Sequence, residues 1–345
     1  MNIAMLGAGA MGCLFGGLLA ESGRQVTLLD IDDAHLEAIR SSGLRLETDR
    51  GDRRIHGMTV SRPEHCRQPP DLLILFTKSL HTDAALRSVA PLVEGPARVL
   101  TLQNGLGNLE AVSRHVDPAR VLVGMTTWPA DLAGPGHVRS HGGGVIRMWP
   151  AGGSRRGGEA QAVANFTGRA NAHANAHANA NADSNVDSDV IHIATVLNDA
   201  GLQCEVDPNV WKAIWEKVAF NAALNSLCAV SGCAVGQLAS VDDGPMLARN
   251  VVSEVIAVAR ASGIDADAAA CHASVEHAIA HHRGHKPSML QDVLASRPTE
   301  IETINGEVVA RARAAGVPVP HTAQLLGLVR LIQARQSDHP TKRHP

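Results

Sequence analysis

The chain has 345 residues, 45% of them hydrophobic and 19% charged, with a formal net charge of −3 at pH 7. That length exceeds what one hydrophobic core usually covers, so two domains are expected. The near-neutral balance, without a basic stripe, excludes an electrostatic nucleic-acid binder and leaves small molecules as the expected partners.

Six cysteines without a Cys-x-x-Cys pair or zinc-like spacing read as buried thiols of a reducing compartment rather than a disulfide framework. No apolar run approaches the roughly 20 residues of a membrane helix, and no basic leader with a cleavage site precedes Asn2-Ile3-Ala4-Met5-Leu6. The expected location is the cytoplasm, with no membrane partner.

Up to about residue 150, short apolar runs alternate with helix-like stretches, the pattern of βαβ units around a parallel sheet. The expected strands are Ile3 to Leu6, Gln25 to Leu29, Asp71 to Thr77, Arg98 to Leu102 and Val121 to Met125. The third is almost continuously hydrophobic, as a strand covered on both faces should be. The stretch from Gly136 to Met148 reads as a hairpin that adds antiparallel strands at one edge.

Between 153 and 188 the composition shifts to Gly, Ala, Asn, His and Ser. Too little apolar bulk is present there to offset the entropy of ordering, so a disordered insertion is expected. His173 and His177 have helical metal-pair spacing but recur as part of the tandem repeat, and no metal is assigned to them. A helix from Val190 and a strand from Leu202 to Val206 then rejoin the first domain, taken as residues 1–208.

From Val210 onward the periodicity is helical: Trp211 to Val230, Pro245 to Ala261, Ala268 to His282, Glu300 to Ala314 and Thr322 to Ala334. These define an all-α second domain over 209–335, with 336–345 as a frayed tail. His277 and His281 share a helix face, but without an acidic or sulfur ligand at matching spacing the histidines read as a solvated face, and no metal site is assigned.

Two segments carry chemistry. Gly7-Ala8-Gly9-Ala10-Met11-Gly12 follows the first strand and opens a helix. Gly7 suits a tight turn, Gly9 close approach to a pyrophosphate, and Gly12 close helix packing, so the loop is read as a dinucleotide site. Asp30 ends the second strand, where a carboxylate accepts from adenosine ribose hydroxyls and repels a 2′-phosphate; this favours NADH over NADPH. Alternatively Asp30 caps the following helix, a task Asp32 could also perform.

The second segment runs from Trp211 through an apolar helix that carries Lys217, Asn221 and Asn225 four residues apart. They form one line with roughly 6 Å between neighbours, which suits a small polyfunctional substrate. The other reading is that Lys217 snorkels to solvent while the amides bond carbonyls of a neighbouring helix; the residues alone leave both open.

The chain resembles the ketopantoate reductases, or 2-dehydropantoate 2-reductases, over nearly its whole length apart from the Ala/Asn/His tract. The resemblance rests on Gly7 to Gly12, Thr77-Lys78-Ser79, Gln103-Asn104-Gly105-Leu106-Gly107, Trp215-Glu216-Lys217 with Asn221 and Asn225, Pro287 to Asp292, and Thr299 to Gly306. It implies a Rossmann domain, a helical domain like that of 6-phosphogluconate dehydrogenase, and an active site in the cleft between them. It also implies that Lys217 protonates the C2 oxygen and that Glu300 is the acidic partner. Asn104, Asn221, Asn225 and Ser288 would hold the substrate, with Lys78 and Asn104 near the cofactor.

The family default is NADPH with a basic residue after the second strand; this chain has Asp30-Ile31-Asp32, so the cofactor is written NAD(P)H. The leading expectation is reduction of ketopantoate to (R)-pantoate in the route to pantothenate. An NADH-dependent reductase of another branched 2-oxo acid, giving a D-2-hydroxy acid, is the alternative. A non-catalytic dinucleotide sensor is the alternative of another class. Exposed helical faces permit a homodimer.

Overall fold

The computed structural model describes residues 1–152 and 187–338, which divide into two compact units. The first holds 1–103, 108–152 and 187–210; the second holds 104–107 and 211–338. The insertion expected at 153–188, with His173 and His177, lies outside the described residues except for Asp187 and Ser188, as do the last seven residues of the expected tail, 339–345.

The first unit begins β1 (Asn2–Leu6), α1 (Ala10–Glu21), β2 (Gln25–Leu29), α2 (Asp33–Ser42), β3 (Leu44–Thr48), β4 (Gly51–Ile55), β5 (Thr59–Ser61) and β6 (Leu72–Leu75). It continues with α3 (Thr82–Ser88), α4 (Ala90–Val93), β7 (Arg98–Thr101), α5 (Asn108–Val112) and β8 (Val121–Thr126). Then come β9 (Asp131–Gly134), β10 (His137–Ser140), β11 (Ile146–Pro150), α6 (Ser188–Asp199) and β12 (Cys204–Val206).

Eight strands form one sheet in the order β12-β11-β8-β7-β6-β1-β2-β5. From β8 to β5 all pairs are parallel, and β11 runs antiparallel to β8. The chain leaves β1 toward β2 on one side and returns to β6 on the other. The carboxyl ends of β1 and β6 therefore flank a topological switch point, where ligands of open α/β sheets collect. Every residue of β6 and β8 is buried, the consequence of helices covering both faces. Phe15 of α1 packs edge-on against Phe76, with ring centroids 4.8 Å apart, and closes the core beneath that point.

The hairpin expected from Gly136 to Met148 does not form. β10 instead joins a separate four-stranded sheet in the order β4-β3-β10-β9, parallel to β3. β11 crosses to the large sheet antiparallel to β8, and β12 pairs parallel to β11, so the expected antiparallel edge is made by these two strands and not by a hairpin. Periodicity cannot distinguish pairing with a neighbour from pairing with a distant strand, and β3, β4, β5 and β9 are too short or too polar to signal themselves. α6 begins at Ser188, capped by Asp187, whose carboxylate accepts the Asp189 N–H at 3.2 Å.

The second unit contains α7 (Val210–Ser231, from Trp211 onward), a 3-10 turn (Val235–Ser240), α8 (Asp243–Ala261), α9 (Ala268–His281) and α10 (Ser288–Leu294). A π turn (Glu302–Gly306), α11 (Glu307–Ala315) and α12 (Pro320–Asp338) complete it. From Val218 to Ala229 nearly every α7 residue is buried, so packing rather than amphipathicity holds this helix. Glu254 of α8 caps α12: its Oε2 accepts both the N–H and the hydroxyl of Thr322, at 2.8 and 2.7 Å. α12 runs to Asp338, three residues into the expected tail.

Two further differences concern the helices. α10 was not anticipated, because its one apolar turn follows a histidine-rich exit. The expected Glu300 to Ala314 helix is interrupted at its start by the π turn, a distortion that often accompanies functional sites. All six cysteines are free; Cys13, Cys204, Cys228 and Cys271 are buried, whereas Cys66 and Cys233 are partly exposed. Among the described residues no helix is long and apolar enough to cross a membrane.

Candidate functional site

In the first unit the three loop glycines occupy three different environments. Gly7 has φ +99°, and a Cβ there would lie 2.6 Å from the Thr77 backbone nitrogen. A Cβ on Gly12 would lie 1.9 Å from the Gly7 carbonyl oxygen. Gly9, which opens α1, has nothing within 4 Å of its Cβ position. The outer glycines are thus required by packing, while the middle one faces open space at a helix N-terminus, the geometry that receives a pyrophosphate. Ala8 is buried, and Gly9, Ala10 and Met11 form the partly exposed rim. A dinucleotide fits these residues.

Asp30 is tied to the same loop. Its Oδ2 accepts the Ala8 N–H at 2.7 Å, and its Oδ1 accepts from Ile31 at 2.7 Å and Asp32 at 3.2 Å. The carboxylate therefore shapes the turn. Asp32, not Asp30, caps α2, accepting the His35 N–H at 3.1 Å. Lys78 follows β6 at its carboxyl end, leading the 3-10 turn Ser79–His81, and is partly buried. Nearby, Gln103 Nε2 donates to the Thr77 carbonyl at 2.7 Å and to Thr82 Oγ1 at 2.9 Å, fixing the exit of β7 to that of β6.

Sequence reasoning missed a buried relay beneath the loop. Gly136 N–H donates to His35 Nδ1 at 3.1 Å, His35 Nε2 meets Cys13 Sγ at 3.3 Å, and Cys13 Sγ donates to the Ala8 carbonyl at 2.9 Å. Burial, reinforced by the charge of Asp30, pushes the Cys13 thiol far up and keeps it a donor. No single motif signals this, since the partners come from α1, α2 and the turn before β10.

In the second unit the structure brings Asn104, Lys217 and Glu300 together. Asn104 Nδ2 donates to Glu300 Oε2 at 3.1 Å. Lys217 is lowered to about 8, mainly by burial, with the negative charge of Glu300 opposing the shift. Asn104 reaches Glu300 because its loop lies on the π turn. Leu106 N–H donates to the Thr303 carbonyl at 2.8 Å, and a Cβ on Gly105, at φ +89°, would come within 2.3 Å of that oxygen.

Asn221 and Asn225 follow Lys217 along α7, Asn225 only 6% exposed. Among the described residues neither side-chain amide makes a hydrogen bond, so the expected alternative of bonding a neighbouring helix is not what the structure contains. Neither amide is among the enclosed side-chain atoms left without a partner, so both stay open to water or to an arriving polar ligand. Asn305 lies within the Thr299 to Gly306 stretch and has no role assigned from the sequence. It is fully buried and donates from Nδ2 to the Ala222 carbonyl at 3.3 Å, joining the π turn to α7 between the two asparagines. Its place four residues after Ile301 in an apolar stripe was the available signal.

Ser288 is the exposed first residue of α10, and no hydrogen bond joins it to Lys217 or Glu300. The glycine loop, Asp30 and Lys78 belong to the first unit, and Asn104, Lys217, Asn221, Asn225, Ser288 and Glu300 to the second. On α9 the His277 and His281 rings stack with centroids 4.2 Å apart, and no group of three or more metal-ligating side chains occurs among the described residues.

Comparison with known proteins finds relatives across both units. A family model described as ketopantoate reductase PanE/ApbA matches residues 3–152, and one for the ketopantoate reductase PanE/ApbA C terminal matches residues 209–333. The chain is 32% identical to a 2-dehydropantoate 2-reductase of Halobacterium salinarum, covering 96% of this chain and 99% of that one.

Among solved structures, D-mandelate dehydrogenase in a ternary structure with NADH and anilino(oxo)acetate gives a TM-score of 0.84 at 26% identity, covering 98% of this chain and 100% of that one. A PanE/ApbA family ketopantoate reductase from Ralstonia eutropha JMP134 gives 0.81 at 30% identity, with coverage of 98% and 100%.

Proposed function

This chain belongs to the ketopantoate reductase family, NAD(P)H-dependent oxidoreductases acting on a CH–OH group, and on that premise we propose that it reduces ketopantoate to (R)-pantoate. The observation that carries the reading is Lys217, an ammonium brought by burial to about 8 beside Glu300, on the same helix as two amides that bond no side chain or carbonyl among the described residues.

When bound, the reduced nicotinamide supplies a hydride to the C2 carbonyl carbon. Negative charge then grows on the C2 oxygen. Lys217 stabilises that charge and donates its proton there; an acid titrating near the working pH suits this transfer. Glu300, steadied by Asn104, holds the ammonium and accepts from a substrate hydroxyl. Asn221 and Asn225 donate and accept along the substrate, and the Ser288 hydroxyl is assigned to the same molecule. In the first unit, Gly7 to Gly12 hold the pyrophosphate against the start of α1, with Lys78 beside the cofactor. Asp30 makes NADH the preferred form, since a 2′-phosphate would meet its charge.

The decisive experiment offers purified protein NADH or NADPH with ketopantoate and follows the loss of reduced-nicotinamide absorbance. Turnover with ketopantoate in preference to other 2-oxo acids supports the reading. Preference for phenylglyoxylate or a branched 2-oxo acid would replace it with the D-2-hydroxy acid reductase that the D-mandelate dehydrogenase likeness favours. Cofactor binding without turnover would leave a dinucleotide sensor, for which Lys217 and Glu300 have no use. Exposed Leu328 and Leu331 on α12 support a homodimer, which sedimentation velocity tests.

A further inference from the structure

At the edge of the large sheet β5 runs parallel to β2, with Leu29 opposite Ser61. The Asp30 N–H bonds the Ser61 carbonyl at 3.3 Å. Arg62 therefore leaves β5 at the level where Asp30 leaves β2. In dinucleotide folds an arginine near the acidic residue after the second strand is the group that accepts a 2′-phosphate. This chain thus carries both signals side by side, an acid that favours NADH and a cation suited to NADPH.

The cation is occupied. The Arg62 guanidinium donates from Nη1 to Asp33 Oδ1 at 2.8 Å and to the Ile31 carbonyl at 3.0 Å, and from Nε to Glu64 Oε1 at 2.8 Å. Asp33 is 77% and Glu64 46% exposed along their side chains, so both acids present negative charge to any incoming anion. Asp30, by contrast, already accepts three backbone N–H groups, from Ala8, Ile31 and Asp32, which uses most of the roughly four acceptor sites of a carboxylate. Discrimination against a phosphate is therefore shared between Asp30 and the pair around Arg62.

We propose that Arg62 is a 2′-phosphate-binding cation masked by Asp33 and Glu64, and that these two acids, with Asp30, set the preference for NADH over NADPH. The inference rests on the dinucleotide reading given above. NADPH must displace two carboxylates to reach the guanidinium, whereas NADH needs neither to move. Both acids lie on the surface, and α2 keeps its Asp32 cap when Asp33 is changed, so the fold is not at stake.

The test measures dissociation constants for NADH, NADPH, adenosine 5′-monophosphate and adenosine 2′,5′-bisphosphate by calorimetry. It compares the wild type, the Asp33→Asn/Glu64→Gln variant, and that variant carrying Arg62→Ala. The double variant should tighten NADPH and the bisphosphate by about tenfold or more, with little change for NADH and the monophosphate. Arg62→Ala should then erase the gain.

Unchanged affinity for the 2′-phosphorylated ligands in the double variant, or a gain that survives Arg62→Ala, overturns the inference while NADH binding keeps the dinucleotide reading intact. A wild-type protein that prefers NADPH also overturns the inference alone. One that binds neither dinucleotide overturns both.

Discussion

His35 and Gly136, 101 positions apart in the chain, are joined by a buried 3.1 Å hydrogen bond from the glycine N–H to Nδ1. With Nδ1 accepting, the ring proton sits on Nε2 and points at Cys13, whose thiol in turn donates to the Ala8 carbonyl. The glycine loop is thus held from below by a side-chain chain and from the side by Asp30. His35→Phe, which keeps an aromatic ring but adds volume and removes both bonds, should cost about 1 to 3 kcal/mol. Urea unfolding and NADH titration should show a lower midpoint together with weaker binding; unchanged values in both would detach the relay from the loop.

Lys217→Ala should lower kcat by roughly 10² to 10⁴, the usual span for a lost general acid, with NADH affinity within a few-fold of wild type. In the wild type, kcat should fall as pH rises through about 8, where Lys217 loses its proton. A flat profile through that range would remove the lysine from the proton-transfer step.

The same residue gives a stability prediction. Burial lowers Lys217 from the ordinary 10.5 to about 8, so between those values the unfolded chain binds the proton that the native protein has released. Stability from this group therefore rises with pH across that window and is lowest below pH 8, where both states are charged. Lys217→Met should be more stable than wild type at pH 7 and should flatten the rise. Thermal melts at pH 7 and pH 10 would contradict this if the two proteins moved in parallel.

Asp30→Ala should weaken both dinucleotides, because the Ala8 N–H loses its 2.7 Å acceptor whatever the cofactor. Charge-assisted bonds of this kind contribute about 1.5 to 3 kcal/mol. A clean switch to tight NADPH binding would show that the carboxylate serves selectivity alone.

Asn225→Leu should leave stability within about 1 kcal/mol of wild type, because the amide is nearly buried yet not among the enclosed polar atoms without a partner. The kcat/KM for the oxo acid should drop by an order of magnitude or more. Lower stability with unchanged kinetics would mean that Asn225 serves packing, not substrate.

How much of this was readable in the chain depends on the range of the interaction. The glycine loop, the line from Lys217 to Asn225 and the continuous strand at β6 are local patterns, and periodicity exposes them. The mixed pairing of β10 and β11 is not local: β10 sits beside β3, more than ninety positions away along the chain in register (His137 opposite Arg45), and neither strand is apolar enough to declare a partner. The π turn is invisible for a similar reason, since one extra residue in a helical turn leaves the apolar spacing almost intact while redirecting Asn305. Arg62 carries meaning only once β5 is known to pair with β2.

Thiol chemistry divides the two halves of the molecule in a useful way. Cys204, Cys228 and Cys271 are each raised to about 12 by burial, and Cys13 further still, so four of the six sulfurs present almost no thiolate to an alkylating reagent. Cys66 and Cys233 are the partly exposed ones, the first in the sheet unit and the second in the helical unit. The native sequence therefore supplies one addressable handle per unit. Alkylation followed by peptide mapping should label Cys66 and Cys233 and spare the other four.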